Sequence, residues 1–299
     1  MSATARAESE PEAARSPYLT LALAVVFISV GSILVRWAQA PALSVAFYRI
    51  FLASVFLAPF AAGTAARSWP GLAPRDRLLL LASGLALAVH FATWIASLSY
   101  TSVAASVLLV NTAPLFTLGF TRVFLREPIP RVVLGATGIA LAGAGLIAAG
   151  DWTGSASSLK GALLAVAGAV TLSLYHVIGR GLRSALPLPA YVLGVWSTAA
   201  AALALIALAG DAPFTGHPPR TMAALVALAL VPTLAGHGLV NRSLRLLPAP
   251  TVGLFLLGEP LGASFLAYLA FGETPNALTL VGGALVLAAL ALVVVRGGR

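Results

Sequence analysis

The sequence predicts an all-α polytopic membrane protein. Of its 299 residues, 60% are hydrophobic and only 9% are charged, and the mean hydropathy of +0.97 lies far above that of soluble proteins. Apolar stretches of about 20 residues, long enough to cross a hydrocarbon core about 30 Å thick, recur along the chain. The segments that join them are short and rich in Pro, Gly and Arg, so they leave no room for a second, soluble domain.

The first element is a polar N-terminal segment, residues 1–17, which we expect to be disordered and cytoplasmic. Arg15, the apolar stretch after it and Ala38-Gln39-Ala40 together imitate a signal peptide. However, the apolar stretch is longer than the hydrophobic region of a signal peptide, and Arg36 directly precedes the supposed cleavage site. We therefore expect this stretch to be the first transmembrane helix.

The apolar stretches predict ten transmembrane helices. Their expected ranges are 18–36, 42–62, 78–98, 102–124, 132–150, 159–179, 188–209, 222–241, 248–271 and 276–295.

The basic residues predict how the chain is oriented. With the N-terminus in the cytoplasm, fourteen of the eighteen basic residues fall in cytoplasmic segments, three fall on the opposite side, and Arg49 lies within helix 2. This asymmetry is a strong positive-inside signal, and ten helices then place both termini in the cytoplasm. The net charge of +9 therefore reflects orientation in the bilayer, and we expect no nucleic-acid partner.

The chain also contains an internal repeat. Pro114 and Glu127 recur 146 positions later as Pro260 and Glu273. Further pairs recur at offsets of 146 or 147 residues: Pro41 with Pro187, Arg36 with Arg183, and His90 with His237. The offset divides the helices into two repeats of five, 18–150 and 159–295. Because five is odd, the second repeat enters the membrane in the opposite sense, an arrangement typical of secondary transporters.

The repeated prolines predict a break near mid-membrane in helices 4 and 9. Pro114 and Pro260 each free the carbonyl four residues earlier, that of Val110 or Leu256, and lipid cannot satisfy it. We therefore expect a cavity between the halves, lined mainly by helices 3, 4 and 9 with contributions from helices 1, 2, 6, 7 and 8. Pro232 predicts a further kink in helix 8.

The repeat and its proline helices resemble the drug/metabolite transporter superfamily, and in particular its ten-helix EamA-type exporters. The resemblance rests on a helix that carries a mid-membrane proline and ends in glutamate, here PLFTLGFTRVFLREP and PLGASFLAYLAFGET. Arg126 departs from the usual small residue before that glutamate, without affecting the architecture. Within the superfamily the chain looks most like the YddG-type amino-acid exporters. The resemblance implies alternating-access export of amino acids, including aromatic or other apolar ones, across the bacterial inner membrane. Separately from the resemblance, we expect the chain to act as a monomer.

Glu259 is the only acidic residue deep within a predicted span. It is interpreted either as the counter-charge for a substrate ammonium or as a proton carrier. The alternatives are a structural partner for Arg49 or a carboxyl group that donates a hydrogen bond to a freed carbonyl. Arg49 itself is either an anchor near the outer end of helix 2 or a binder of a substrate carboxylate.

A second polar cluster is predicted on helix 3, where Ser83, His90, Trp94 and Ser97 share one face. His90 beside the Trp94 ring suits a zwitterion with a large apolar side chain, although a lone buried histidine is more often a packing residue. The candidate substrate-binding residues are Glu259, His90, Trp94, Asn111, Ser97, Tyr48 and Tyr175, and the candidate gate residues are His237 and Asn241.

Other classes of function fit the sequence less well. An intramembrane enzyme lacks its usual signs, since the chain contains no HExxH motif, no cysteine and no pair of intramembrane aspartates. A passive scaffold does not explain two broken helices. No ATP-binding P-loop is present, so any energy comes from a gradient, and we expect neither cofactor nor metal. Export of another small metabolite or a drug remains the alternative to amino-acid export.

Overall fold

The computed structural model describes residues 17–97, 99–100, 106, 109–150, 159–182, 184–272 and 277–297. These residues are mostly helical and include no strand. Helices are the expected form for apolar segments in lipid, because a helix satisfies its backbone polar groups within the segment. The predicted N-terminal segment, apart from Pro17, lies outside the described residues, as do Arg183 and Glu273 of the repeat.

The helices are numbered α1 to α10 in chain order, and α9 is divided into the segments α9a and α9b. Their bounds are Pro17–Ala38 for α1, Ala42–Ser68 for α2, Pro74–Ser97 for α3, Ala113–Leu125 for α4, Arg131–Gly150 for α5, Leu159–Gly181 for α6, Leu188–Ala209 for α7, Pro219–Leu246 for α8, Ala249–Leu256 for α9a, Glu259–Phe271 for α9b and Ala277–Gly297 for α10.

Seven of the described helices are long and apolar enough to span a membrane, namely α1, α2, α3, α6, α7, α8 and the two segments of α9 taken together. The three others contribute shorter apolar stretches of 10–17 residues. Most helices begin and end within a few residues of the predicted ranges, but α2 runs to Ser68 and α8 runs to Leu246. In the predicted range of α4, residues 106, 109 and 110 are also helical, ahead of the turn that precedes Ala113. The chain is thus a multi-pass membrane protein, and ten complete crossings stay a prediction.

The second helices of the two halves, α2 and α7, pack in opposite directions. Near the start of α2, the Ser44 hydroxyl donates to the Pro213 carbonyl just after α7, at 2.9 Å. Just after α2 ends, Trp69 Nε1 donates to the Ala190 carbonyl near the start of α7, at 3.3 Å. Equivalent helices that run antiparallel are what an inverted-topology repeat requires.

The contacts between helices follow the same two-fold pattern. Helix α1 packs on α8 and α3 packs on α6, and these two pairs exchange when the halves are exchanged. Helices α2 with α7, α5 with α10, and α4 with α9a pair with their own equivalents. The two halves are therefore interleaved along most of their helices.

The breaks in α4 and α9 lie just before the repeated prolines. A turn at Asn111 and Thr112 precedes Ala113, and a turn at Leu257 and Gly258 precedes Glu259. Each proline thus occupies the first turn of the following helical segment, where its missing N–H would have had no intrahelical partner.

The kink expected in α8 takes the form of a π-helical segment, Ala229–His237, that contains Pro232. Pro232 cannot donate to the Leu228 carbonyl four residues earlier. The Thr233 hydroxyl donates to that carbonyl instead, at 2.8 Å. Side-chain satisfaction of a freed carbonyl is the usual condition for proline within a membrane helix.

Two ends of the molecule can be distinguished by their contacts. At the first, here called the arginine-rich end, Arg180 Nε lies 3.2 Å from Glu127 Oε1 and Arg180 Nη1 donates to the Leu244 carbonyl at 3.1 Å. Arg245 also donates to the Leu186 carbonyl beside the start of α7. At the opposite end, the Thr221 hydroxyl donates to the Ala38 carbonyl at 2.7 Å.

A labelling experiment can test the orientation, because the chain has no native cysteine. The exposed residues Arg67 and Arg242 lie at the arginine-rich end, and the exposed residue Asp211 lies at the opposite end. We expect a membrane-impermeant maleimide applied outside intact cells to label Asp211→Cys but neither Arg67→Cys nor Arg242→Cys. Permeabilised cells should label all three variants. Labelling of Arg67→Cys and Arg242→Cys from different sides would contradict the inverted repeat.

Candidate functional site

A cavity lies beside the breaks in α4 and α9, between the two halves of the molecule. Its lining comes from seven helices and includes the residues whose carbonyls the prolines free. The lining residues are Ile28, Gly31, Arg49, His90, Phe91, Trp94, Val110, Asn111, Ala113, Pro114, Thr117, Leu172, His176, His237, Gly253, Leu256 and Glu259.

The helices that line the cavity differ from the expected set in one respect. No described residue of α5, α7 or α10 contributes to the lining. Contributions from α7 were expected, and that expectation is wrong: α7 packs against the backs of α2 and α3, which separate it from the cavity. The peripheral positions of α5 and α10, which pack on each other, agree with their small-residue sequences.

The cavity is small in this conformation. Its volume is about 50 Å³, whereas pockets that hold small-molecule ligands usually have volumes of roughly 300–1,000 Å³. Contacts join helices of the molecule at both ends, through Arg180 and Glu127 at one end and through Thr221 and Ala38 at the other. A metabolite therefore needs a movement of the lining helices or side chains to enter.

Glu259 lines the cavity from the first position of α9b. The positive end of the helix dipole favours a carboxylate at this position. The Ser29 hydroxyl donates to the backbone carbonyl of Glu259 at 3.2 Å, which ties the break in α9 to α1. The carboxylate itself makes no hydrogen bond or ion pair with any described residue.

Arg49 lines the same cavity and is buried, with 2% of its surface exposed. Its guanidinium carbon lies 4.1 Å from the centroid of the Phe91 ring, and its Nε donates to Thr233 Oγ1 at 3.3 Å. The two terminal nitrogens make no hydrogen bond with a described residue. The interpretation of Arg49 as an interfacial anchor is therefore wrong, since its charged group lies inside the protein.

Arg49 and Glu259 interact electrostatically but do not form a direct ion pair. A cation and an anion thus line the same cavity. Each can form further hydrogen bonds, because the described residues do not use all of its donor or acceptor atoms. The structure does not support the alternative in which these two side chains are simply each other's structural partner.

His90 and Trp94 form an aromatic wall on α3. The rings are nearly parallel, with centroids 5.9 Å apart and an interplanar angle of 7°. His90 Nδ1 lies 3.0 Å from the Gly168 carbonyl, and we assign the proton to Nδ1 because a carbonyl can only accept. The Nε2 of a neutral His90 is then an acceptor. Trp94 Nε1 is buried and has no partner among the described residues.

Two further histidines contribute to the cavity. His237 lies edge-on to Phe91, with ring centroids 5.6 Å apart. His237 Nδ1 and His176 Nε2 are buried without a hydrogen-bond partner in the described part of the chain. His176 and Phe91 were absent from the predicted site. His176 is an ionisable residue within a predicted span, so the criterion that selected His90 applies to it equally.

The structure brings together some of the predicted site residues and separates others from the cavity. Glu259, His90, Trp94 and Asn111 line it, as does the candidate gate residue His237. The remaining candidates are held elsewhere by hydrogen bonds: Ser97 to Ser106 Oγ, Tyr48 to the Phe214 carbonyl, and Tyr175 and Asn241 to each other.

These remaining residues do not line the cavity in this conformation, and a part for them in substrate binding or gating stays a prediction. Tyr48 lies at the opposite end of the molecule because α2 starts there, close to the segment that follows α7. Tyr175 is fully buried and accepts from Asn241, whose amide also donates to the His237 carbonyl. This hydrogen-bonded pair does not line the cavity but holds the backbone at His237, which does.

The described residues contain no group of three or more His, Cys, Asp or Glu side chains placed to hold a metal ion. The polar groups that line the cavity are one guanidinium, one carboxyl group, three imidazoles, one indole, one amide and one hydroxyl, set among apolar side chains. These groups suit the reversible binding of a small polar molecule with an apolar part.

Comparison with known proteins identifies relatives across most of the chain. The model of the EamA-like transporter family matches it twice, over residues 15–149 and 159–295. An uncharacterized transporter of Archaeoglobus fulgidus is 27% identical over 273 residues, which cover 90% of this chain and 92% of that protein. A crystal structure of a protein with 19% sequence identity superposes with a TM-score of 0.78, covering 95% of this chain and 98% of that one. The latter similarity concerns the fold alone.

Proposed function

The chain belongs to the EamA-like transporter family, and from this premise we propose that it exports amino acids across the bacterial inner membrane by alternating access, driven by a gradient. In this proposal both termini face the cytoplasm and the cavity is the substrate site. Family membership supports transport in general; the choice of amino acids rests on the chemistry of the cavity.

The observation that carries the proposal is the pair of opposite charges that share the cavity without pairing. The Arg49 guanidinium and the Glu259 carboxyl group both line it, and neither is neutralised by a described residue through a direct ion pair. An isolated buried charge is costly, so each group needs water or a partner. A zwitterionic amino acid provides both partners, a carboxylate for Arg49 and an ammonium for Glu259.

The remaining lining supports an aromatic or other apolar substrate side chain. Phe91, Trp94, Leu172 and Ile28 give the cavity extensive apolar surface. Small ligands are usually bound in this way, with a few polar groups fixing orientation and apolar surface contributing most of the contact.

The inverted repeat supports alternating access. In secondary transporters with such repeats, one repeat or bundle moves against the other around a site near the midplane. Here the cavity is lined by both halves, and helices are joined by an ion pair at one end and by a hydrogen bond at the other. Opening one set of contacts at a time would expose the cavity to one side only.

Flux measurements with purified protein in liposomes test this function. A panel of labelled amino acids, amines and sugars should be tried at two pH gradients, with protein-free liposomes as the control. We expect amino acids to be transported and simple amines and sugars to be excluded. Flux of amines or sugars without amino-acid flux would assign another substrate, and no flux of any compound by folded protein would contradict the proposal.

The Trp94→Ala variant tests the aromatic wall. Loss of the indole removes apolar contact from the substrate side chain, so flux of a large amino acid such as phenylalanine should fall by about tenfold, which corresponds to about 1.4 kcal/mol. Flux of alanine should fall less. The matched control is Phe60→Ala, since Phe60 is 83% exposed on the outer face of α2. If Trp94→Ala transported phenylalanine and alanine each as fast as the unaltered protein does, Trp94 would be a packing residue.

A further inference from the structure

An apolar groove separate from the central cavity lies between the C-terminal end of α2 and the N-terminal end of α3. Its volume is about 450 Å³, and it is lined chiefly by Trp69, Pro70, Leu72, Arg77, Leu80 and Leu81. The two sites share no lining residue. The groove belongs to the arginine-rich end, because Trp69 contacts Ala190 near the start of α7.

The length of α2 and the Trp69 side chain together indicate that this groove lies near the level of the lipid headgroups. Its 27 residues correspond to a helix about 40 Å long, whereas the hydrocarbon core is about 30 Å thick. At least one end of α2 therefore extends beyond the acyl chains. Trp69, directly after the helix, is a residue type enriched at that interface.

Positively charged residues surround the groove in sequence, and one of them, Arg77, also lines it. Arg67, Arg75 and Arg77 are exposed, and Asp76 is the one acidic residue between positions 67 and 77. Among the described residues, none of these arginines forms an ion pair. Arg77 Nη2 donates to the Pro70 carbonyl at 2.7 Å, which holds its guanidinium across the mouth of the groove.

We propose that this groove is a binding site for an anionic phospholipid. Arg75 and Arg77 bind the phosphate of the headgroup, and one acyl chain lies along Leu80 and Leu81. The start of α3 adds the positive end of its helix dipole beside the phosphate. A free anion would use the arginines but not the apolar floor, and an apolar partner would use the floor but not the arginines. A phospholipid in the surrounding membrane has both parts and already lies at the right depth.

The test measures thermal unfolding of the purified full chain in neutral detergent, with short-chain phosphatidylglycerol, phosphatidylcholine or inorganic phosphate added. A ligand that binds the folded state raises the unfolding temperature. We expect phosphatidylglycerol to raise it and the other two to have little effect at the same concentration. In Arg75→Gln/Arg77→Gln, the half-saturating concentration of phosphatidylglycerol should rise at least about tenfold, since each arginine near a lipid surface contributes appreciably to binding.

The matched control is Arg122→Gln/Arg242→Gln, which removes two exposed arginines from the same end of the molecule and changes the net charge equally. We expect this control to respond to phosphatidylglycerol as the unaltered protein does. An equal loss in both double variants, no loss in the groove variant, or an equal effect of inorganic phosphate would each overturn the proposal. Should Arg75→Gln/Arg77→Gln fail to fold, Arg75→Gln alone keeps the hydrogen bond from Arg77 to Pro70. This single variant should still need more phosphatidylglycerol for half-saturation than its own control, Arg122→Gln, and equal values in the two would overturn the proposal.

Discussion

Replacement of Glu259 by glutamine should reduce amino-acid flux by at least about thirtyfold while leaving membrane insertion intact. Glutamine keeps the shape and much of the hydrogen bonding of the side chain but removes its charge. Loss of one partner from a desolvated, hydrogen-bonded charge pair costs about 2–5 kcal/mol, and in our proposal the substrate ammonium is that partner. Transport should also lose most of its pH dependence if the same carboxyl group exchanges a proton during the cycle.

Flux in proteoliposomes at several pH values measures this effect, and detergent unfolding of the same preparation controls for folding. Arg49→Gln provides the complementary variant, because it removes the opposite charge from the same cavity. Both variants should impair amino acids, while only Arg49→Gln should impair a substrate analogue that has a carboxylate but no ammonium. Normal transport by Glu259→Gln at every pH would make the carboxyl group structural.

The second large effect is expected at the contact between α5 and α10. A Cβ atom added at Gly143 would lie 2.6 Å from the Gly282 carbonyl oxygen and 3.0 Å from Leu285 Cβ. Backbone on one side and a Cβ atom on the other leave nothing that can rotate away, so the helices must separate. Overpacking of this kind costs about 1–3 kcal/mol, and Gly143→Val should lower the unfolding temperature in detergent by roughly 5 °C or more.

Gly138 supplies the matched control on the same helix, because an added Cβ there meets no atom within 4 Å. Gly138→Val should change stability by no more than about 0.5 kcal/mol, as is usual for exposed sites. Equal destabilisation by the two substitutions would attribute the effect to valine in the helix rather than to the α5–α10 contact. Neither glycine lines the cavity, so residual flux per folded molecule should remain close to normal in both variants.

The sequence predicted the helices and their breaks well because lipid imposes strict local rules. A span must be apolar, of defined length and internally hydrogen-bonded, so the ranges can be read from composition alone. Pro114 and Pro260 predicted the breaks for the same reason. The π-helical form of the kink at Pro232 was beyond such rules, since it depends on the hydrogen bond from Thr233 to the freed carbonyl and on the close approach of α1 to Pro232.

The site was predicted only in part, because its composition depends on contacts between residues far apart in the chain. Tyr48 was selected for its depth in helix 2, but its hydroxyl bonds to the Phe214 carbonyl, 166 positions away. Arg49, its neighbour in sequence, turns inward because Phe91 and Thr233 hold its guanidinium from α3 and α8. A single helix pattern predicts which residues share a face but not which neighbour that face will meet.

The interleaving of the two halves has a consequence for the order of folding during synthesis. When α1 to α5 enter the membrane, the main partners of α1, α2, α3 and α5 have not yet been made, because these partners are α8, α7, α6 and α10. The first half must therefore persist in the bilayer as loosely associated helices that contact lipid through faces destined for protein. The surface of α5 around Gly143 is the last of these to be covered, since α10 is the last helix described along the chain. The nascent chain thus reaches its native packing only once translation has passed the final helix, and during that interval it is most vulnerable to membrane proteases and to mispairing with other nascent chains.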